Sequence, residues 1–295
     1  MFRVASTAVL AALVVLAGCG SLATPADEGT PTRTVTPAPL PPEVRTPQEP
    51  GVLAPGVSPD GVFDAGRLAE AHATVLSNTS FTTVREERRR YANGSLRSAY
   101  RRVVRVSTGG ERFDYDLNQT DVRGGRTAET RLARYSNGSV VYAATTRDGT
   151  TTYSTLDGPS GPAGPSVLPA RATARSGLAR LFGTLRFDVV DRRAVDGRAV
   201  YHLVVENGSQ RVGSLRNVSM NASVREDGLV IAYRLTYDVG GLRVSVNVTF
   251  RDVGETEVAS PAWLPAARNA TGTGVGSPGA DTSTPTPTAT PAGRA

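Results

Sequence analysis

The stretch that decides the fold is SFTTVREERRRYANGSLRSAYRRVVRV, residues 80–106. Its middle holds Asn93-Gly94, a dipeptide that tolerates the positive φ angles of a tight hairpin turn. The runs on both sides are rich in Val, Thr and Tyr, which favour extended structure, so the sequence predicts two antiparallel strands near residues 80–91 and 96–106.

The same turn signal recurs along the chain. The dipeptides of this type are Asn93-Gly94, Asn137-Gly138, Asp148-Gly149, Asp196-Gly197, Asn207-Gly208 and Asp227-Gly228. Apolar and polar residues alternate in the segments between them, as at Val244, Val246 and Val248, so one face of each strand packs while the other meets water. The pattern predicts eleven strands, near residues 80–91, 96–106, 111–118, 128–136, 139–146, 150–156, 185–192, 198–206, 214–225, 229–238 and 242–252.

Two segments have apolar residues at helical spacing. In Asp64 to Ser77 and in Ala170 to Phe182, the stripes consist of Leu68, Ala71, His72, Val75 and Leu76, and of Ala174, Leu178, Leu181 and Phe182. The simplest packing that buries both stripes is a strongly curved antiparallel sheet, a half-barrel of about eleven strands, with the two helices on its concave side. The sequence therefore predicts an α+β fold, in which Trp263 plugs the end of the sheet.

The first eighteen residues are typical of a signal peptide, with Arg3 before an apolar run that is too short to span a bilayer. The run ends on Leu16-Ala17-Gly18-Cys19, which resembles the lipobox of lipoprotein precursors. Cys19 would then become the lipid-carrying N-terminus and anchor the chain to the outer face of the cytoplasmic membrane. The alternative is a chance cysteine after an apolar run.

Composition divides the rest of the chain. Residues 19–60 and 266–295 are rich in Pro, Thr, Ala and Gly, so they predict a disordered stalk and a disordered tail. Residues 61–265 are long enough for one sizeable core and contain no long linker, so they predict one β-rich domain.

All nine asparagines are followed two positions later by Ser or Thr, with no proline between. They are Asn78, Asn93, Asn118, Asn137, Asn207, Asn217, Asn221, Asn247 and Asn269. This is the acceptor pattern for N-glycosylation, and it predicts a cell-surface protein. Together with a prokaryotic lipobox, it favours an archaeal source. Codon bias in a Thr-rich chain is the alternative explanation.

Several segments resemble those of a known family. They are Ala71-His72-Ala73, Leu76-Ser77-Asn78-Thr79-Ser80-Phe81-Thr82, Asp196-Gly197-Arg198-Ala199-Val200-Tyr201 and Val258-Ala259-Ser260-Pro261-Ala262-Trp263-Leu264. The sequence in residues 62–265 resembles haloarchaeal surface lipoproteins of unknown function, whose layout is similar to the lipoprotein carriers LolA, LppX and LprG. The resemblance implies a half-barrel that can hold an acyl chain between sheet and helices.

The sequence contains no recognisable catalytic or cofactor motif. It lacks a nucleophile elbow, a phosphate loop, a dinucleotide fingerprint and a His-Glu-x-x-His zinc motif. The two histidines, His72 and His202, lie in an apolar helix face and a strand, with no cysteine to join them in a zinc site. We therefore expect no enzyme activity, no cofactor and no metal.

The chain has a formal charge of +6, and eight of its arginines fall between Arg85 and Arg105. A two-residue turn at Asn93-Gly94 would place Glu86 opposite Arg101 and Arg85 opposite Arg102. Sheets normally avoid such a like-charge pair, so the cluster is either solvated or binds an anion. An anionic partner would bind near Arg85, Arg89, Arg101 and Arg102. Few aromatic residues lie among these arginines, so nucleic acid is not expected.

Two functions follow from these features. The first is a module that binds a lipid or another hydrophobic ligand, and the alternative is a structural or adhesive surface module with no small ligand. The helical stripes contain small residues, so we expect a gap between helices and sheet, bordered by Leu68, Val75, Leu178 and Phe182.

Overall fold

The structure, a computed structural model, describes residues 51–156, 167–205 and 212–272. Its main feature is one antiparallel sheet of eleven strands, accompanied by a two-stranded ribbon, β1 (Val57–Ser58) and β2 (Gly61–Val62). The sheet strands are β3 (Phe81–Tyr91), β4 (Leu96–Val106), β5 (Arg112–Arg123), β6 (Arg126–Asn137), β7 (Val141–Arg147), β8 (Thr150–Leu156), β9 (Asp188–Val195), β10 (Arg198–Val205), β11 (Arg216–Arg225), β12 (Val230–Val239) and β13 (Leu242–Arg251). The predicted count of eleven is confirmed.

The strand order across the sheet is β8-β7-β6-β5-β4-β3-β13-β12-β11-β10-β9, and the sheet does not close. Two hairpin meanders, β3 to β8 and β9 to β13, therefore meet where β3 pairs with β13. The sheet forms a curved half-barrel, and the predicted α+β class is confirmed. All described residues belong to one compact unit.

The hairpin turns follow two patterns. Asp148-Gly149 and Asp196-Gly197 have positive φ at both positions, as a type I′ turn requires, and so do the pairs Gly124-Gly125 and Gly240-Gly241. At Asn93, Asn137 and Asp227 the expectation of a type I′ turn is wrong, because only the glycine that follows each of them has positive φ. Asn207-Gly208 lies outside the described residues.

The loop between β3 and β4 has three residues rather than two, because the amide of Tyr91 bonds to the carbonyl of Ser95 (2.9 Å). A bulge between Arg89 and Arg90 compensates for the extra residue. The predicted register is therefore confirmed, with Glu86 opposite Arg101 and Arg85 opposite Arg102.

Three helices cover the concave face: α1 (Ala65–Ser77), α2 (Val167–Ala172) and α3 (Arg175–Thr184). Asp64 caps α1 by accepting the amide of Arg67 at 2.8 Å, and the helix then buries Leu68, His72 and Leu76. The second predicted helix is two helices, because Ala174 lies between them with a φ of 55°. Their apolar residues pack against β10 to β13 in the main core.

A fourth helix, α4 (Leu264–Ala270), lies on the opposite, convex face over β7 and β8. Leu264 and Ala267 are buried there against Tyr135 and Tyr142, and Trp263 stacks on Tyr153 with ring centroids 6.4 Å apart. Trp263 therefore lies half-buried on the convex face against edge strand β8, and the prediction that it plugs the end of the sheet is wrong. The predicted tail boundary at residue 266 is wrong, because the helix continues to residue 270.

The predicted stalk boundary at residue 60 is also wrong. Ala54 and Val57 are buried in the main core, and the chain turns sharply at Gly56, where a Cβ atom would overlap the carbonyl oxygen of Asp64. Within the three described ranges, no helix is long and apolar enough to cross a membrane.

Candidate ligand groove

A groove of about 330 Å³ separates α3 from the concave face of the sheet. Its helical wall is formed by Ala174, Gly177, Arg180, Leu181 and Thr184. Its floor is formed by Val218, Tyr233, Leu235, Tyr237 and Val246, with Arg85 at one end and Leu185, Val212 and Leu215 at the border. The volume lies near the lower limit of the range for small-molecule sites, roughly 300 to 1,000 Å³.

Alternation in the strands and small residues in the helix create this groove. On β11, β12 and β13, every second side chain points to the concave face, which gives the floor its valine, leucine and tyrosine side chains. Ala174 and Gly177 then leave space on the facing side of α3, and a Cβ atom added at Gly177 would touch nothing within 4 Å. The expected gap beside small helical residues is therefore present.

The residues predicted to border that gap are not the ones that do. Leu68, Leu178 and Phe182 are at most 2% exposed and belong to the solid core, and Val75 packs against that core. The groove lies instead beside Gly177 and Leu181, one position earlier on α3 than Leu178 and Phe182. The physical reason is rotation, because successive residues point about 100° apart around a helix.

The arginine cluster is divided between the two faces of the sheet. Strand alternation and the confirmed register place Arg85, Arg89 and Arg102 on the concave face, and Arg101 on the convex face with Arg88 and Arg90. The prediction that Arg101 shares an anion site with the other three is therefore wrong. Its guanidinium instead faces Glu86 at 3.2 Å.

The concave cluster consists of Arg85, Glu87, Arg89, Tyr100, Arg102 and Tyr233. Glu87 is its centre: Arg85 and Arg89 donate to its carboxylate at 2.9 and 2.8 Å, and the Tyr100 hydroxyl donates at 2.9 Å. Arg85 also donates from Nε to Tyr100 at 2.5 Å. Because one carboxylate serves two arginines, the like-charge pairing of Arg85 with Arg102 is only partly compensated.

Burial and charge shift the pKa values of this cluster in opposite directions. Burial alone would raise the pKa of Glu87, but hydrogen bonds from Arg85, Tyr100 and Arg89 outweigh it and hold that pKa below its usual value. Burial raises the pKa of Tyr233 although the positive charges of Arg85 and Arg102 oppose the shift. Glu87 is therefore ionised and Tyr233 neutral near pH 7.

Within the described residues, Arg102 has no counterpart to the hydrogen bonds that Arg85 and Arg89 make to Glu87. Among the described residues, no hydrogen bond or ion pair to its guanidinium is found, and its Nε atom is buried. Its neighbours in the adjacent strands are Arg85 and Leu117, neither of which can accept a hydrogen bond from it through its side chain.

The described part of the chain contains no group of three or more His, Cys, Asp or Glu side chains placed to hold a metal ion, at the two histidines or elsewhere. His72 is fully buried and accepts the amide of Val230 at Nδ1 (3.1 Å). His202 lies on β10 beside Ser223.

Eight of the nine predicted glycosylation acceptors are described, and none of them is buried. Asn118, Asn221 and Asn247 point to the convex face in mid-strand, while Asn93 and Asn137 lie at hairpin ends. Asn78, Asn217 and Asn269 are also exposed, at the end of α1, on β11 and on α4. Asn207 and the predicted lipidation site Cys19 lie outside the described residues.

Comparisons with known proteins give only weak likenesses. No protein-family model and no curated protein matches the chain. The chain is similar to the crystal structure of a LolA superfamily protein from Nitrosomonas europaea, at 12% identity and a TM-score of 0.24, covering 66% of this chain and 95% of that one. It is also similar to a DUF1329 family protein from Desulfovibrio piger, at 10% identity and a TM-score of 0.26, covering 68% and 95%. Likenesses of this size indicate nothing about a ligand.

Proposed function

We propose that the groove binds the apolar chain of a lipid-like ligand. The observation that supports this proposal is an open space in a part of the molecule where a packed core would be expected. Leu181, Leu235 and Val246 face one another across it without closing it. Each methylene group that a ligand buried there would contribute about 0.8 kcal/mol to binding.

A module without a ligand would need another explanation for this space. Protein interiors are close-packed, and the core under α1 is packed in this way around Leu68 and Leu203. An unfilled space lined by apolar side chains, such as the one between α3 and the sheet, is what a binding site requires. The ligand-free structural or adhesive module remains the alternative that the following experiment tests.

The experiment uses a graded series at Gly177, titrated with the neutral methyl ester of dansyl-undecanoic acid and followed by dansyl fluorescence. The full chain should bind the ester. Gly177→Ala should bind it equally while stabilising α3 by about 0.5 to 1 kcal/mol, because alanine is the better helix former. Gly177→Trp should weaken binding at least tenfold, because Gly177 lines the groove and an indole there would occupy part of it.

Thermal unfolding of each variant provides the control for this series. If Gly177→Trp unfolds at the temperature of the parent but binds the ester as the parent does, the groove is not the site. If the parent itself does not bind the ester, the ligand-free alternative is correct. Leu178→Trp would be uninformative, because it would overpack the core.

We further propose that the chain is a lipoprotein anchored through Cys19 on the outer face of the cytoplasmic membrane. Support for this proposal comes from the sequence before Cys19 and from the nine acceptor asparagines. The described acceptors Asn118, Asn221 and Asn247 would carry glycans on the face opposite the groove, where they would not obstruct it. Peptide mass spectrometry of the chain from its source would test both modifications. An unmodified Cys19 peptide, or nine bare asparagines, would contradict the respective claim.

A further inference from the structure

We propose that the groove selects amphiphiles with an anionic head group, a carboxylate or a phosphate monoester, which the concave cluster binds through Arg102 and Arg85. This inference rests on the proposed function, because it assumes that an apolar chain occupies the groove. The inference specifies the charge of the head group, and it specifies that the head group lies at the Arg85 side of the groove.

The concave cluster has more positive than negative groups. It contains three guanidinium groups, Arg85, Arg89 and Arg102, but only the carboxylate of Glu87. On the convex face Arg101 pairs with Glu86, Arg105 with Asp114 at 2.7 Å, and Arg131 with Asp116. The concave cluster therefore has a surplus of positive charge on the side that has the groove.

Arg102 has a buried donor that an anionic head group would satisfy. A guanidinium has five donors, and a buried donor without an acceptor is costly. In the described residues Arg102 has no acceptor, although it stands beside Arg85, whose charge repels it. A bound carboxylate or phosphate would supply the missing acceptor, and its charge would stabilise both guanidinium groups.

The cluster adjoins the groove. Arg85 lines the end of the groove, and Tyr233 lines its floor while lying close enough to Arg85 and Arg102 for both charges to act on its hydroxyl group. A chain lying along Leu235 and Val246 would thus end at the cluster. At about 330 Å³, the groove favours one chain over two.

The test compares dansyl-undecanoic acid with its methyl ester, because the two differ only in the charge of the head group. The parent chain should bind the acid about tenfold more tightly than the ester, as expected for one charge-assisted contact near the protein surface. Arg102→Gln should bind acid and ester equally and leave the affinity for the ester unchanged. Dansyl-undecyl phosphate, as the third probe, distinguishes a carboxylate site from a phosphate site.

Arg101→Gln is the matched control, since it removes the neighbouring arginine on the other face and should keep the tenfold preference. Arg102→Gln should unfold at or above the parent's temperature, because it removes a repulsion, so loss of the preference cannot be attributed to misfolding. Equal binding of acid, phosphate and ester by the parent would overturn the inference and leave the proposed function intact. Failure of the parent to bind any of the three would overturn both.

Discussion

His72 is a titratable side chain that is fully buried in the core. Burial lowers its pKa to about 4, and the main chain of Thr173 and the charge of Asp227 oppose only part of that shift. Because Nδ1 accepts the amide of Val230, the neutral ring carries its proton on Nε2. This contact joins α1 to β12.

The lowered pKa predicts a pH dependence of stability. In the unfolded chain His72 takes up a proton near pH 6.5, whereas in the folded chain it does so only near pH 4. The unfolded state therefore holds more protons between these values, and the free energy of unfolding should fall by about 3 kcal/mol as the pH drops from 7 to 4. Urea unfolding across this range measures the change.

The control is His72→Asn, which keeps a hydrogen-bond acceptor near Val230 but cannot titrate in this range. Its stability should be lower than that of the parent at pH 7, and its pH dependence should be weaker by about the same 3 kcal/mol. Parallel pH profiles for the two proteins would show that His72 is not the titrating group.

Among the elements, the strands were predictable and the details of the helices were not. Alternating residues set the face of each strand side chain, and the turn position predicted the partners of Arg85 and Glu86 correctly because a bulge compensates for the longer loop. The same alternation could have placed Arg101 on the convex face, away from Arg102. On α3, by contrast, a rotation by one residue exchanges Leu178 for Gly177, and only tertiary packing fixes that rotation.

The helix α4 was missed because it has seven residues and begins among prolines. Pro265 lies in its first turn, where the amide groups have no partner within the helix, so proline costs nothing there. Its apolar side faces Tyr135 and Tyr142, which lie apart from the main core.

This separation predicts that α4 opens before the sheet unfolds. Trp263 is the only tryptophan of the chain, so its fluorescence reports on the contact of α4 with Tyr153. The fluorescence transition should occur at a lower urea concentration than the loss of sheet seen by circular dichroism. Leu264→Ala should shift only the first transition, by about 2 kcal/mol or more.

Val190→Ala, on the exposed face of edge strand β9, is the matched control and should shift neither transition appreciably. A single transition that both signals follow, and that Leu264→Ala moves as a whole, would mean that α4 and the sheet unfold together.

For the whole molecule, the two faces of the half-barrel differ in what they expose. The concave face has the groove and the arginine cluster around Glu87, while the convex face has the ion pairs of Arg101 and Arg105 and three of the acceptor asparagines. Length and turn spacing predicted the half-barrel. The groove could not be located from the sequence, because it depends on how far α3 stands from β12 and β13.

The measurement that tests the groove most directly is native mass spectrometry of the whole chain released from its own membranes in mild detergent. The account predicts a native mass that exceeds the denatured mass by one amphiphile, and no excess for Gly177→Trp prepared in the same way. Equal native and denatured masses for the parent, or the same excess in both proteins, would contradict a ligand in the groove.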